Sequence, residues 1–158
     1  MVVTTGGVSV GDYDYVLEAT QKISANRLFW KVRFRPGGTM LAAEKDGKLI
    51  LGLSGNPASA SLGLHIIGIP FIKKLGGQPE QIPERVKVRL LTPIIKNSPH
   101  GRLVRGRLVI GNGEACFVSV DAQGNGALSS LLGCDLIADI PPETPPLAAG
   151  EIIDAYRI

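Results

Sequence analysis

Apolar positions in this chain come in short blocks, and their spacing changes from block to block. Val2-Val3-Thr4-Thr5 is a β-branched run that reads as a short strand. A glycine-rich stretch, Gly6-Gly7-Val8-Ser9-Val10-Gly11-Asp12, follows it. Val16, Ala19 and Ile23 then recur at helical spacing. They predict a helix from Asp12 or Asp14, either of which suits its cap, to about Ser24. Over residues 28–35 the period falls to two. Leu28, Trp30, Val32 and Phe34 alternate with Phe29, Lys31, Arg33 and Arg35, predicting one strand with an apolar and a mostly cationic face. Residues 39–53 read as a hairpin turning at Asp46-Gly47, because both central positions of a type I′ turn require positive φ. The returning strand, Leu49-Ile50-Leu51-Gly52-Leu53, is nearly all apolar, as expected of a central strand buried on both faces.

Asn56 suits a helix N-cap, and Pro57 suits the first helical position, where its missing N–H costs nothing. The helix that follows is apolar on most sides and is expected to be buried. Pro70 should kink it and Gly76-Gly77 should end it. Pro79 and Pro83 mark a linker. Beyond it come short β-like segments at 85–91, 103–110, 115–120 and 135–140, with a last one within 150–158. Gly111-Asn112-Gly113 and Gln123-Gly124-Asn125-Gly126 read as turns, and residues 141–146 as a stiff proline-rich loop. The chain thus divides into an α/β unit over 1–78 and a small all-β domain over 79–158. Only two helices are visible in the first unit. A parallel sheet needs both faces covered, so either the fold is incomplete or another chain covers one face.

Composition narrows the function classes. Hydrophobic residues make up 44% of the 158 and aromatics 5%, which implies a largely aliphatic core. The net charge of +3 is mildly basic. The nearest thing to a basic stripe is Arg102, Arg105 and Arg107, without the interleaved aromatics of a nucleic-acid binder. A small anion held by a few well-placed cations fits better. Cys116 and Cys134 have no metal-ligand spacing, so zinc is not supported and two reduced, buried thiols are expected. The N-terminus carries no signal-peptide pattern. The longest apolar stretch, 62–72, is interrupted by His65 and Pro70 and is too short to span a bilayer. A cytoplasmic location is therefore expected, with no membrane partner.

Three features carry candidate chemistry. The loop 6–14 joins a strand to a helix, where glycines let backbone amides approach an anion. Ser9 adds a donor, and Asp12 and Asp14 offer oxygen to Mg²⁺. The same spacing also suits a tight glycine turn with an Asp cap. Ser54-Gly55-Asn56-Pro57-Ala58-Ser59 again links an apolar strand to a helix. It reads either as a second anion loop or as a well-capped helix start. Lys31, Arg33 and Arg35 stand ahead of Pro36-Gly37-Gly38 and suit phosphate or a similar oxyanion, or else a solvated strand face. His65 reads as a core histidine, and His100 has no nameable partner.

The segment from Thr4 to Tyr15 resembles the S/T-G-G-V-S-x-G-x-x-D-Y signature of the MoeA/gephyrin E-domain family. Leu53-Ser54-Gly55-Asn56-Pro57-Ala58-Ser59-Ala60 resembles its L-P-G-N-P-V-S-A, and Lys31 to Gly37 its K-x-x-x-K-P-G. Gly126-Ala127-Leu128-Ser129-Ser130-Leu131 and Leu147-Ala148-Ala149-Gly150-Glu151 resemble G-x-L-S-S-L and L-x-A-G-E of its last domain. The motifs occur in the family's order over nearly the whole chain.

The resemblance implies a partial three-layer molybdopterin-binding α/β domain followed by a small β-barrel-like domain. It implies insertion of molybdate into adenylated molybdopterin with release of AMP and with Mg²⁺. It also implies a homodimer, or association with an N-terminal region. By the same match, Asp14, Lys31 and Arg35 fall on catalytic positions, with Asp14 as the metal-binding acid. Gly6, Gly7, Ser9, Gly11, Ser54, Gly55, Asn56, Pro57 and Ser59 fall on substrate-binding loops. Two departures stand out: Ser54 replaces a proline, and Gly38-Thr39 replaces a Lys-Pro pair. The family's earlier domains have no counterpart here, so the chain alone is expected to be incomplete for catalysis. A non-catalytic pterin- or molybdate-binding module is the alternative.

Overall fold

A computed structural model describes residues 1–79, 82–120, 123 and 128–158. Two sheets organise the chain. The first has the strand order β1-β5-β4-β2, with β1 Val2–Thr5, β2 Asn26–Trp30, β4 Leu41–Lys45 and β5 Lys48–Leu53. β4 and β5 form the expected hairpin, and Asp46 and Gly47 at its tip have φ of 50° and 73°. β5 lies between β4 and β1, which explains its unbroken apolar run. β1 runs parallel to β5, with Thr5 opposite Leu53, so the two strands end at the same rim.

The helices take opposite faces of this sheet, giving three layers. On one face α1, Val16–Lys22, packs Val16 and Leu17 onto Val8, Leu41 and Ala43. On the other, α2 Pro57–Gly63 and the π-helical turn Leu64–Gly68 pack Ala60, Leu64 and Ile67 onto Met40, Ala42, Leu51 and Leu53. Both faces of β4 and β5 are thus covered from within the chain, whereas β1 stays uncovered on both of its faces, in line with the expectation of an incomplete cover. Each fully enclosed aliphatic side chain in these layers contributes roughly 1.5–3 kcal/mol. The open surface is the sheet's edge: Val2 and Val3 of β1 are 54% and 43% exposed.

Local readings differ from the sequence pattern in four places. α1 begins at Val16, and neither Asp caps it: its N-cap residue Tyr15 makes no side-chain cap bond. Ala19 and Ile23 face solvent, and Thr20 takes the buried position instead. The strand predicted over 28–35 breaks at Lys31, which adopts φ 66°. A bulge between Arg27 and Phe29 has already shifted the alternation. Leu28, at the bulge, is exposed, while Phe29 and Trp30 pack on opposite faces of the sheet as strand neighbours do. The long helix is less enclosed than its composition suggests. It passes through the π turn into α3, Ile69–Leu75, which has no buried residue and carries Pro70 in its first turn.

The second sheet closes on itself. β6 Arg85–Leu90, β7 Gly101–Gly111, β8 Glu114–Ser119, β9 Leu136–Ile140 and β10 Ile152–Arg157 run β7-β8-β6-β10-β9, and β9 pairs back with β7. This five-stranded barrel is filled by Val88, Leu90, Val104, Phe117, Leu136, Ala138 and Ala155. Asn112 and Gly113, both with positive φ, form the β7–β8 turn. Of the turn expected at 123–126, only Gln123 lies among the described residues. The arginines of β7 part company: Arg102 is half-buried, Arg105 fully buried and Arg107 exposed. The Ala148–Glu151 motif is a self-closed turn, in which Glu151 Oε1 accepts the Ala148 amide at 2.5 Å.

The long helix and residues 34–35 both join the two units. Leu62 and Ile66 of the long helix pack with Leu103, Ile137 and Tyr156 of the barrel. The last two residues of the predicted cationic strand, Phe34–Arg35, form β3 and pair with barrel strand β7 instead of the first sheet.

Candidate functional site

Parallel pairing of β1 and β5 determines where the two glycine loops go. Both leave the sheet at its carboxyl rim, and the Gly6 amide still donates to the Leu53 carbonyl at 2.9 Å. Gly6 and Gly55 then lie against each other. A methyl group on Gly55 would stand 3.2 Å from the Gly6 α-carbon, and Gly6 itself has φ 81°. A side chain at Gly55 would press on the first loop, and one at Gly6 would strain its left-handed backbone.

The first loop is anchored from below. Val8 is 2% exposed and turns into the core, and Trp30 Nε1 donates to the Val8 carbonyl at 2.9 Å. Ser9, Val10, Gly11, Asp12 and Tyr13 then stand out in solvent. Asp14 folds back, its Oδ2 accepting the Gly11 amide at 2.7 Å, while the Asp14 amide donates to the Gly11 carbonyl. The carboxylate thus closes the loop instead of capping the helix. The Gly7 carbonyl takes the Val16 amide at the start of α1.

The second loop is held by its own polar side chains. Asn56 caps α2 as expected, its Oδ1 accepting the Ser59 amide at 3.3 Å. Ser54, which departs from the proline of the resembled motif, accepts the Asn56 amide on its Oγ. Ser59 is buried at 3% exposure beneath Gly37, whose added methyl would meet the Ser59 carbonyl at 3.0 Å.

That contact leads to the third element. Residues 31–39 form one wall of an open groove of about 1010 Å³, and Lys96–His100 with Arg102–Val104 of the barrel form the other. Lys31, Arg33 and Arg35 all line it, although they no longer share one strand. Lys31 Nζ lies 4.4 Å from the Trp30 ring centre. Trp30 therefore touches the glycine loop with one edge and a groove cation with its face. Lys96 and Arg102 join the groove from far along the chain, and no local spacing signals that. Burial lowers the Arg102 pKa. The groove's lining does not include residues 6–14 or 54–59, so the loop junction and the groove are neighbouring surfaces, linked through Gly37 and Trp30.

Among the described residues no three His, Cys, Asp or Glu side chains converge as a metal-holding group, and no helix is long and apolar enough to cross a membrane. His65 Nδ1 bonds within its own helix, to the Ser61 carbonyl at 2.8 Å.

Residues 1–74 match the family described as probable molybdopterin binding domain, and residues 87–158 match the MoeA C-terminal region, domain IV. A molybdopterin molybdenumtransferase of Staphylococcus aureus is 33% identical over 154 residues, covering 98% of this chain and 37% of the relative. That of Staphylococcus epidermidis is 34% identical with the same coverage. The chain thus spans 37% of the length of these relatives. A crystal structure of a molybdopterin biosynthesis MoeA protein from Pyrococcus horikoshii superposes with a TM-score of 0.77 at 20% identity, over 99% of this chain and 37% of that one. A molybdenum cofactor biosynthesis protein from Pyrococcus furiosus gives 0.62 at 19% identity, over 84% and 45%. Two adjoining family matches, in the order in which the α/β unit and the barrel occur, make this chain a member of the MoeA family, corresponding to its C-terminal portion.

Proposed function

We propose that this chain supplies the substrate-holding face of an enzyme of molybdenum cofactor biosynthesis. In the proposed reaction, adenylated molybdopterin and molybdate give molybdenum cofactor and AMP. The observation that carries the reading is the contact between Gly6 and Gly55, because it brings the amides of two loops to one rim. Gly6, Gly7, Ser9 and Gly11 form one side of the substrate site, and Ser54, Gly55, Asn56 and Pro57 the other. Lys31 and Arg35 neutralise the oxyanion, and Ser59 keeps the cationic loop seated through Gly37. The reading divides the chain at residues 78 and 79, and the end of one family match at residue 74 and the start of the other at residue 87 support it.

Asp14 is the acid offered to Mg²⁺. The ion commonly takes one or two carboxylates together with substrate phosphates and water. Asp14 fits one such place, but this chain does not assemble the rest among its described residues. Bound there, the ion would neutralise phosphate charge. Association as a homodimer, or with an N-terminal region of the longer protein, belongs to the same proposal. The exposed apolar edge of β1 supports it, since an open strand edge readily pairs. A cytoplasmic location belongs to it too.

The test is turnover by the full-length protein. Asp14→Ala should lower molybdenum insertion by about 10²-fold, the usual loss for a charged group acting at the reacting centre. Unchanged turnover would remove Asp14 from the site. The second reading is a non-catalytic module that binds molybdopterin or molybdate, for which the two abutting glycine loops and the groove cations would suffice. Calorimetric binding of molybdopterin or molybdate to a full-length protein that shows no turnover would select it.

A further inference from the structure

The groove between the α/β unit and the barrel has an unusual charge balance. Lys31, Arg33, Arg35, Lys96 and Arg102 line it, and no Asp or Glu does among the described residues. None of the five takes part in an ion pair within the described residues. Two of them are forced together by the fold. Arg35 of β3 and Arg102 of β7 are register partners in a parallel pair, so their side chains leave the same face of the joint between the units. Like charges directly opposite one another destabilise a sheet. Arg102 is also partly desolvated, and its guanidinium donates to the Lys96 carbonyl, which fixes its direction. Such an arrangement carries a standing cost that an anion between the two guanidinium groups would remove.

We propose that Arg35 and Arg102 form a two-guanidinium clamp, with Lys96 beside it, for the phosphate or diphosphate group of a small molecule at the joint between the two units. The planar forks of arginine match phosphate oxygens two at a time. A diphosphate is long enough to engage both forks, whereas a lone tetrahedral oxyanion engages one side better than both. The clamp deepens the reading above and rests on it only for the role of Arg35 as an anion-binding residue. Its second consequence is mechanical. An anion held by one residue from each unit ties the α/β unit to the barrel across β3 and β7.

The test is isothermal titration of the 158-residue chain in phosphate-free, low-salt buffer with pyrophosphate, orthophosphate and molybdate in separate runs, together with thermal melts. Pyrophosphate should bind and raise the melting temperature. Arg102→Gln and Arg35→Gln should each weaken binding by about tenfold or more, as expected when one charged partner is lost. Arg102→Lys should weaken it less. Without anion, Arg102→Gln should melt no lower than the wild type, because a like-charge contact has been relieved. The proposal falls if pyrophosphate neither binds nor stabilises the wild type, or if Arg102→Gln binds like the wild type. It falls equally if Arg102→Gln melts lower without anion yet keeps the full pyrophosphate shift, which marks a structural residue. Molybdate binding as tight as pyrophosphate, with the same Arg102 dependence, overturns the phosphate assignment. Turnover of full-length Asp14→Ala is a separate readout, so the enzyme reading and the clamp fail independently.

Discussion

Trp30 holds Val8 by a hydrogen bond from its indole Nε1 to the Val8 carbonyl, 2.9 Å across two elements far apart in the chain. The same ring lies under Lys31. Trp30→Phe should keep the ring face for Lys31 and remove the donor. The loss should be roughly 1–3 kcal/mol if the carbonyl is left unpaired in a part-buried place. Urea denaturation followed by circular dichroism measures it. Fluorescence is unsuitable for the variant, because Trp30 is the chain's single tryptophan. The wild type's fluorescence, for the same reason, reports on this one position and should change when an anion enters beside Lys31.

Gly52 lies within a central strand, one residue from its end, where glycine normally weakens the sheet. A methyl group there would stand 2.5 Å from Cγ1 of Val8 and 3.3 Å from Cγ1 of Val16. The space has been given to the residue that roots the first glycine loop. Gly52→Ala should therefore cost about 1–3 kcal/mol through overpacking. Combining it with Val8→Ala should cost less than the sum of the two, by about 0.5 kcal/mol or more, since each change relieves the other. Strict additivity in that cycle would show that the two side chains do not compete.

Asn56 offers a cleaner local test. Its side chain satisfies the Ser59 amide at the start of α2, and Ser54 in turn satisfies the Asn56 amide. Asn56→Ala should cost about 1 kcal/mol, and Asn56→Asp should cost little. If Asn56→Ala leaves the melting midpoint unchanged, the loop is held by something other than this cap.

These features differ in how far the chain alone betrays them. Asp46-Gly47 and Asn56-Pro57 are local devices. Their chemistry acts within three or four residues, so the turn and the helix start were legible. The common rim of the two glycine loops was only half legible: each loop visibly follows a strand, but the parallel pairing of β1 with β5 that brings them together is a long-range register. The break at Lys31 was not. Nothing in an alternating run announces that one lysine will take positive φ and send the next residues to another sheet. Asp14 looked like a cap because caps are acidic and precede helices, yet its carboxylate found the Gly11 amide first. The opposition of Arg35 and Arg102 is a long-range register, set by how the barrel meets the α/β unit, and side-chain spacing carries no trace of it.

Cys134 gives the chain a pH dependence on the alkaline side. Burial pushes its thiol above the ordinary value, despite main-chain hydrogen bonds and the nearby Arg105 acting the other way. The folded chain therefore holds this proton more tightly than the unfolded chain. That contribution to stability is fully present below the unfolded thiol pKa, about 8.5, and is lost as pH rises through the folded value. Denaturation midpoints should fall between about pH 8 and pH 10, and Cys134→Ala should flatten that part of the curve. Tyr156, also raised by burial, begins to ionise only toward the upper end of the range and so leaves the lower part to the thiol. An unchanged slope in the Cys134→Ala protein below about pH 9 would mean that another group carries the transition.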